Sequence, residues 1–386
     1  MSSAAETSPH DADPHDADRH DAEVVVATPR FGEDLELLLG ELGFRIESIW
    51  PADAPSTAVV SGHGVRLRLI ASPDSAPVTL RLPDGGPETG TTVTLAGGSS
   101  IERRPTRPPV EIPPNQPSLT ISHAKRDHDD DRHDDRDTNA EPGDGHEHAG
   151  RAGMRYRDLI PDRWGGRFIA SVISIPEGGP VPDYVHFHRI RFQLIAVKRG
   201  WVRVVYEGQG EPFVLHAGDC VIQPPTIRHR VLEASPGLQV VEVTTPAVHE
   251  TIADWATDLP DEPGDPDREW YGQRFVRHIA RDAELQPWRA AGWMCRESGV
   301  ADATSGLAGV RFALPAADAA DAGETMVADG EFTLLVVLTG DVSFVADGRP
   351  PVLLTDGSSV AIPNGVTYRL DAPSPDCELL DLTLPA

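Results

Sequence analysis

Cysteine is scarce in this chain: Cys220, Cys295 and Cys377 are the only three among 386 residues. Their wide spacing builds neither a disulfide framework nor a thiolate zinc site. Positive charge is also short. Lys and Arg total 34 against 61 Asp and Glu, a formal net charge of -27. Such a chain repels nucleic acid and anionic lipid, and no local basic patch offsets this, so neither is expected as a partner. No apolar run approaches the roughly 18 residues of a membrane span. The stretch from Met1 to Glu23 is polar and acidic, the opposite of a secretory signal. The expectation is a soluble, cytoplasmic protein of about two to four domains with a sizeable buried core.

Histidine and acidic charge are present in quantity and unevenly placed. Residues 1–23 hold five Asp, two Glu and one Arg, and residues 123–150 hold eight Asp, two Glu, one Lys and three Arg, so each stretch carries -6. Together they contain eight of the 15 histidines: His10, His15, His20, His123, His128, His133, His146 and His148. Neither shows apolar periodicity, so neither can bury enough surface to offset the entropy of ordering. We expect a disordered tail over 1–23 and a disordered linker over 122–150, with weak divalent-metal affinity at most.

Three segments then have globular character. The first spans 24–121. Val24–Val26 reads as a strand, and Phe31 to Gly43 as a helix with Leu35, Leu38, Leu39 and Leu42 on one face and Gly43 as its stop. Strands are expected at Phe44–Ile49, Ala58–Ser61, Val65–Ile70, Val78–Leu82 and Thr91–Leu95. This β-α-β-β-β order, the phrase Leu42-Gly43-Phe44 and the run Thr94 to Glu102 resemble one module of the vicinal oxygen chelate (glyoxalase-like) superfamily, over about 80 residues. Metal-binding members carry ligands on the first and last strands. Here Glu102 stands alone, and His63 sits on a glycine-flanked turn as a solvated residue, so the segment is expected to dock or dimerise and not to form a second active site.

The other two segments, 151–250 and 275–386, are rich in short β runs separated by Gly, Pro and Asp turns, the pattern of a small barrel or jelly roll. The segment 251–274 between them is an Asp/Pro-rich connector. The two repeat one another. Gly200-Trp201-Val202-Arg203-Val204 matches Gly340-Asp341-Val342-Ser343-Phe344, and Gly218-x5-Pro224 matches Gly357-x5-Pro363.

One chemical constellation stands out. The chain reads Gly179-x6-His186-Phe187-His188-x4-Gln193-x6-Gly200, then Gly218-x5-Pro224-x-Thr226-x2-His229. Residues two apart on a strand share a face, so His186 and His188 point together. Gln193 has the wrong parity for the same unbroken strand, so a turn or bulge at Arg189–Arg191 must restore its facing. His229 would arrive after the Pro224-Pro225 turn. Three imidazoles and an amide oxygen suit a first-row metal with open positions.

These motifs resemble the two cupin motifs, Gly-x5-His-x-His-x3-4-Glu-x6-Gly and Gly-x5-Pro-x-Gly-x2-His, and the duplication makes the chain similar to a bicupin from about residue 151 to 386. The resemblance implies a mainly β fold of two cupin jelly-roll barrels behind a small α+β glyoxalase-like module. It implies His186, His188 and His229 as metal ligands, with Gln193 at the usual Glu position. The departures are Gln193 for Glu, Thr226 for the second-motif Gly, and a first spacing one residue longer. A neutral Gln193 leaves the metal more positive, which favours an enolate, diketonate or carboxylate. In the third segment Met326-Val327-Ala328, Thr333 and Tyr368 stand at the ligand positions, and Glu331 is out of register, so that barrel is expected to be structural. His216, His249 and His278 fit no spacing and are expected to be ordinary surface or capping residues.

The implied cofactor is one divalent transition metal per chain, Fe(II) first and Mn, Ni, Zn or Co as alternatives. Three functions remain open. One is a dioxygenase that binds a small organic substrate and O2 in an apolar pocket, with Phe187, Phe192, Ile195, Val197 and Trp201 as candidate walls. Another is a non-redox isomerase, lyase or cyclase, for which Tyr184 and Arg191 are the nearest acid–base candidates. The last is a non-catalytic small-molecule or metal-binding protein. A homodimer is expected.

Overall fold

The structure, a computed structural model, describes residues 23–51, 55–74, 76–82, 91–103, 110–124, 147–150, 153–261, 264–265, 267–317 and 323–385. The expected tail and most of the expected linker lie outside these residues. The chain divides into two compact units, Met1–Pro109 and Val110–Ala386. The boundary therefore falls before the expected position at 121.

In the first unit the β-α-β-β-β order holds. Val24–Thr28 pairs in parallel with Val65–Ala71, which pairs antiparallel with Thr57–Gly62, and Arg45–Trp50 closes the edge. The helix Phe31–Gly40 turns Phe31, Leu35 and Leu38 inward against Leu67 and Leu69. Asp34 anchors its first turn, accepting from Thr28 Oγ1 at 2.5 Å and from the Ala96 amide at 3.1 Å. Gly43, at a φ of 70°, makes the left-handed turn that ends the helical run. Thr79–Leu82, Ser100–Arg103 and Thr91–Thr94 form a separate small sheet.

The second unit is mainly β and contains two halves of like design. In each, a seven-stranded sheet faces a smaller one. Strand parity explains how the halves join. Along Phe192–Arg199, the side chains of Phe192, Leu194 and Ala196 enter a core shared by both halves, while Val197 and Ile195 face the first half's own interior. Along Phe332–Thr339, Phe332, Leu334, Val336 and Leu338 enter the same shared core, while Leu335 and Val337 face the second half's interior. Both faces of these strands are buried, so they read as continuous apolar runs. Phe168 stacks on Phe332 across the junction at 4.1 Å. Each such buried side chain contributes roughly 1.5–3 kcal/mol.

The halves also exchange edge strands. Thr120–Ser122 pairs with Ser359–Ile362 of the second half, and Val276–His278 pairs with Cys220–Ile222 of the first. Neither exchange is visible in local patterning. The connector is not inert either: Thr251–Ala253 pairs with His186–His188. At the end of the expected linker, His148–Ala149 pairs with Arg155–Tyr156.

Glu331 ties the halves electrostatically. Its carboxylate is bound by Arg167 and by Arg191 Nη1 at 2.9 Å. Burial alone would raise its carboxyl pKa, but the hydrogen bonds and charges of these two guanidinium groups hold it below the usual value. A carboxylate lowered in this way stabilises the fold above its unfolded pKa, near 4.5, and loses that contribution as pH falls through the folded value. Glu331→Gln should therefore cost about 1–3 kcal/mol at neutral pH. The gap in urea midpoint between wild type and variant should narrow as pH falls below the ordinary glutamate range and close once pH has passed through the lowered folded value; an equal gap at neutral and acidic pH would show that packing, not charge, carries it.

Candidate metal centre

Three histidines meet on the smaller sheet of the first half. His186 is the backbone partner of His229 in an antiparallel pair, and Thr251–Ala253 flanks the other edge of the His186–His188 strand. His186, His188 and His229 are all buried, and one ring nitrogen from each lies within 4.8 Å of the other two. Their ring centroids are 4.3 to 5.3 Å apart.

Backbone carbonyls hold the rings. His186 Nδ1 donates to Tyr184 O at 2.7 Å, His188 Nδ1 to Glu250 O at 3.1 Å, and His229 Nδ1 to Ile227 O at 3.0 Å. A proton held on Nδ1 leaves the lone pair on Nε2, the form in which imidazole binds a metal. Behind His186 the buried Asp183 carboxylate lies 3.6 Å from Nδ1, and its Oδ2 accepts from the Val231 amide at 3.0 Å. The donor set thus fits a divalent transition ion.

The three histidines line a cavity of about 270 Å³. Its wall is mostly apolar, with Ile173, Ile175, Val202, Leu215, Leu238 and Val240 among the lining residues. Of the five apolar residues expected as walls, Ile195 alone reaches the cavity. Phe192 belongs to the shared core, and Phe187 lies under the Arg228 guanidinium at 5.2 Å.

Gln193 does not extend the histidine strand. The chain leaves that strand after His188, and Phe192–Arg199 begins in the opposite sheet. This switch of sheets, not a bulge, resolves the parity problem. Gln193 is 1% exposed. Its Nε2 donates to Glu242 Oε1 at 2.5 Å, and its Oε1 is buried with no hydrogen-bond partner.

The two proposed acid–base residues are not brought to the cavity. Tyr184 contributes its carbonyl to His186, and its ring packs on Trp255 at 5.0 Å. Arg191 is engaged with Glu331. Neither residue lines the cavity. Two residues without any motif do. His249 stands edge-on to His188 at 5.2 Å, correcting its expected surface role, and Glu242 lies on the wall. Tyr206 stacks on His229 at 5.5 Å and accepts from Gln223 Nε2 at 2.8 Å. Burial pushes its phenol pKa up, with the charges of Glu242 and Asp183 adding to the effect, so the hydroxyl stays protonated. His278 is not a surface residue: it is buried and stacks on Phe312 at 5.2 Å. The three cysteines are buried thiols with raised pKa values, unsuited to thiolate chemistry.

In the second half the equivalent register holds different chemistry. Met326 pairs with Tyr368 where His186 pairs with His229. Arg289 Nη2 donates to Tyr368 Oη at 2.9 Å and to Asp381 Oδ1 at 2.8 Å, while Trp288 Nε1 donates to Asp381 Oδ2 at 3.0 Å.

The turn before His229 carries strain that the repeat exposes. Thr226 has a φ of 70°, and its amide donates to His188 O at 2.9 Å. Gly365 occupies the matching place with a φ of 79°, and its amide donates to Ala328 O at 2.9 Å. A β-branched residue is disfavoured in this region by about 1–2 kcal/mol.

No protein-family model matches the chain, and no curated protein matches it in sequence. Solved structures similar to it include an oxalate decarboxylase of Bacillus subtilis described with Mn(II) centres, at 12% identity and a TM-score of 0.47 over 64% of this chain and 76% of that one. The oxalate decarboxylase of Lactobacillus farciminis, in a formate complex, gives 11% and 0.47 over 64% and 85%. A salicylate 1,2-dioxygenase of Pseudaminobacter salicylatoxidans gives 15% and 0.45 over 59% and 75%. At this level of likeness the functional argument rests on the chain's own residues.

Thr226→Gly should relieve the strained turn while keeping its hydrogen bond to His188. The variant is expected to gain about 1 kcal/mol in chemical denaturation. A loss would show that contacts of the Thr226 side chain outweigh the strain.

Proposed function

We propose that this chain is a metal-dependent enzyme of the cupin type, a dioxygenase that acts on a small organic anion. The observation that carries this reading is the buried cluster of three Nδ1-anchored histidines lining a mostly apolar cavity. His186, His188 and His229 would hold one divalent ion, Fe(II) in this reading with Mn, Ni, Zn or Co as alternatives, and Gln193 would be a weak fourth ligand or orienting neighbour. A bound ion supplies Lewis acidity toward an enolate, diketonate or carboxylate oxygen and, as Fe(II), electrons for O2.

The remaining work belongs to the chain. The carbonyls of Tyr184, Glu250 and Ile227 keep the imidazoles in one orientation. The wall of Ile, Leu and Val takes the hydrocarbon part of the substrate and keeps water from the reacting end. The second half, with Met326, Ala328 and Tyr368 at the ligand places, is assigned a structural role. In the first unit, the β-α-β-β-β order supports a glyoxalase-like module that docks or dimerises.

Elemental analysis of the chelator-dialysed protein should find one tight divalent metal per chain. An O2-uptake screen on diketones, catechols and 3-hydroxy acids should find a substrate. His186→Ala should lose the metal and at least ~100-fold in turnover, because three protein ligands become two. A metal that survives His186→Ala combined with His188→Ala would overturn the site. Metal-dependent conversion without O2 uptake would replace the oxygenase with a non-redox lyase or isomerase.

A further inference from the structure

Around the ligand places of the second half, the side chains build a pocket of a different kind. Parity turns them together. Val310 and Phe312 enter the shared core, so Gly309 and Arg311 point the other way; Leu380 and Leu382 do the same for Asp381 and Thr383. Thr333 lies on the same face of its strand as Leu335 and Val337, toward the second half's interior. Arg289 reaches this interior to bind Asp381 and Tyr368. Arg289, Arg311, Thr333, Thr383 and Asn364 line a pocket of about 300 Å³, with Asp329 also on its wall.

The repeat shows where the room comes from. Thr244 is opposite both Gln193 and Ile169, and Thr383 is opposite both Thr333 and Gly309. Gly309 therefore takes the place of Ile169, a wall residue of the first half's cavity. A Cβ at Gly309 would lie 2.9 Å from Thr383 Oγ1 and 3.0 Å from Arg311 Nη1. The space that a side chain would fill is where hydroxyl and guanidinium meet.

The donors gathered there exceed what the chain itself uses. Arg289 bonds Asp381 and Tyr368 through Nη2, and Arg311 bonds Glu297 through Nε, with Asp381 3.9 Å from its Nη1. No hydrogen bond within the described residues takes up the other guanidinium nitrogens or the Thr333 and Thr383 hydroxyls. Asp381 and Glu297 already balance the two cations, so recognition rests on directed N–H and O–H donors and not on excess charge. Such donors fit a carboxylate, whose two oxygens match a guanidinium fork. Asp329 on the wall disfavours a second negative charge on the ligand.

We propose that the second half carries a binding site for a small organic monocarboxylate, held by Arg289 and Arg311 with Thr333 and Thr383. The site gives this half a recognition role beside its structural one. It does not rest on the metal-centre reading.

Metal-free, full-length protein is titrated with acetate, propionate and lactate by ligand-observed NMR. Lactamide serves as the uncharged match of lactate, and succinate as a dianion. At least one monocarboxylate should bind saturably and raise the melting temperature. Lactamide and succinate should bind about tenfold more weakly, or not at all. Arg311→Gln should weaken monocarboxylate binding about tenfold or more. Gly309→Ala should also weaken it, by pushing aside the flexible tip of Arg311. Its ligand-free melting temperature should not fall, since glycine weakens a strand interior, and this separates a lost site from a lost fold. His186→Ala should leave the affinity unchanged. Absence of saturable binding by all three monocarboxylates, equal affinity for lactate and lactamide, or wild-type affinity in both Arg311→Gln and Gly309→Ala would overturn the site. Loss of binding in His186→Ala would place the ligand in the first half's cavity and overturn it equally. The three-histidine centre stands or falls separately, on its own metal analysis.

Discussion

Two short strands pair so that His186 stands opposite His229, and the geometry of the centre follows from that register. Parity places His188 on the same face as His186. The turn at Thr226, bonded to the His188 carbonyl, returns the chain at the right height for His229. Three backbone carbonyls then fix the ring tautomers, with the Asp183 carboxylate behind His186. A slip of one residue would send all of this to the opposite face. The strand that carries the two histidines is short, and it is held on both edges, by the strand of His229 and by Thr251–Ala253.

The rigidity behind that register comes from the junction of the two halves. Their seven-stranded sheets share one apolar core, with Phe168, Phe192, Phe312 and Phe332 fully buried in it. Exchanged edge strands and the Glu331 ion pairs add to it. Each half thereby commits one sheet to the junction and frees the interior of the other for a different use. The second half fills its interior with Trp288, Phe344, Leu335 and their neighbours. The first keeps a cavity.

The duplicated scaffold surrounds one repeated carboxylate position with different chemistry. Both halves turn a carboxylate inward at the same place. The second satisfies it with Arg289 from its own chain, a permanent cation locked by Tyr368 and Trp288. The first has His186 and His229 where the second has Met326 and Tyr368.

Local information in the sequence was enough for the strands, the duplication and the three histidines, because period-two alternation, Gly-Pro turns and ligand spacing are all short-range features. It was also enough to set Met326, Ala328 and Tyr368 at the ligand places of the second half. It could not place Glu242, His249, Thr120–Ser122 or Val276–His278. These residues act through partners far along the chain, and such pairing leaves no mark on their neighbours in sequence. Tyr184 and Arg191 are the converse case: closeness to the histidines in sequence suggested chemistry, but a change of sheet after His188 carries Arg191 to Glu331 and leaves Tyr184 holding His186 by its carbonyl. Spacing along one strand determined which imidazoles converge. Only the packing of one sheet against another decided that Glu242 shares their cavity, because that depends on the twist and closure of the whole half and not on any stretch of it.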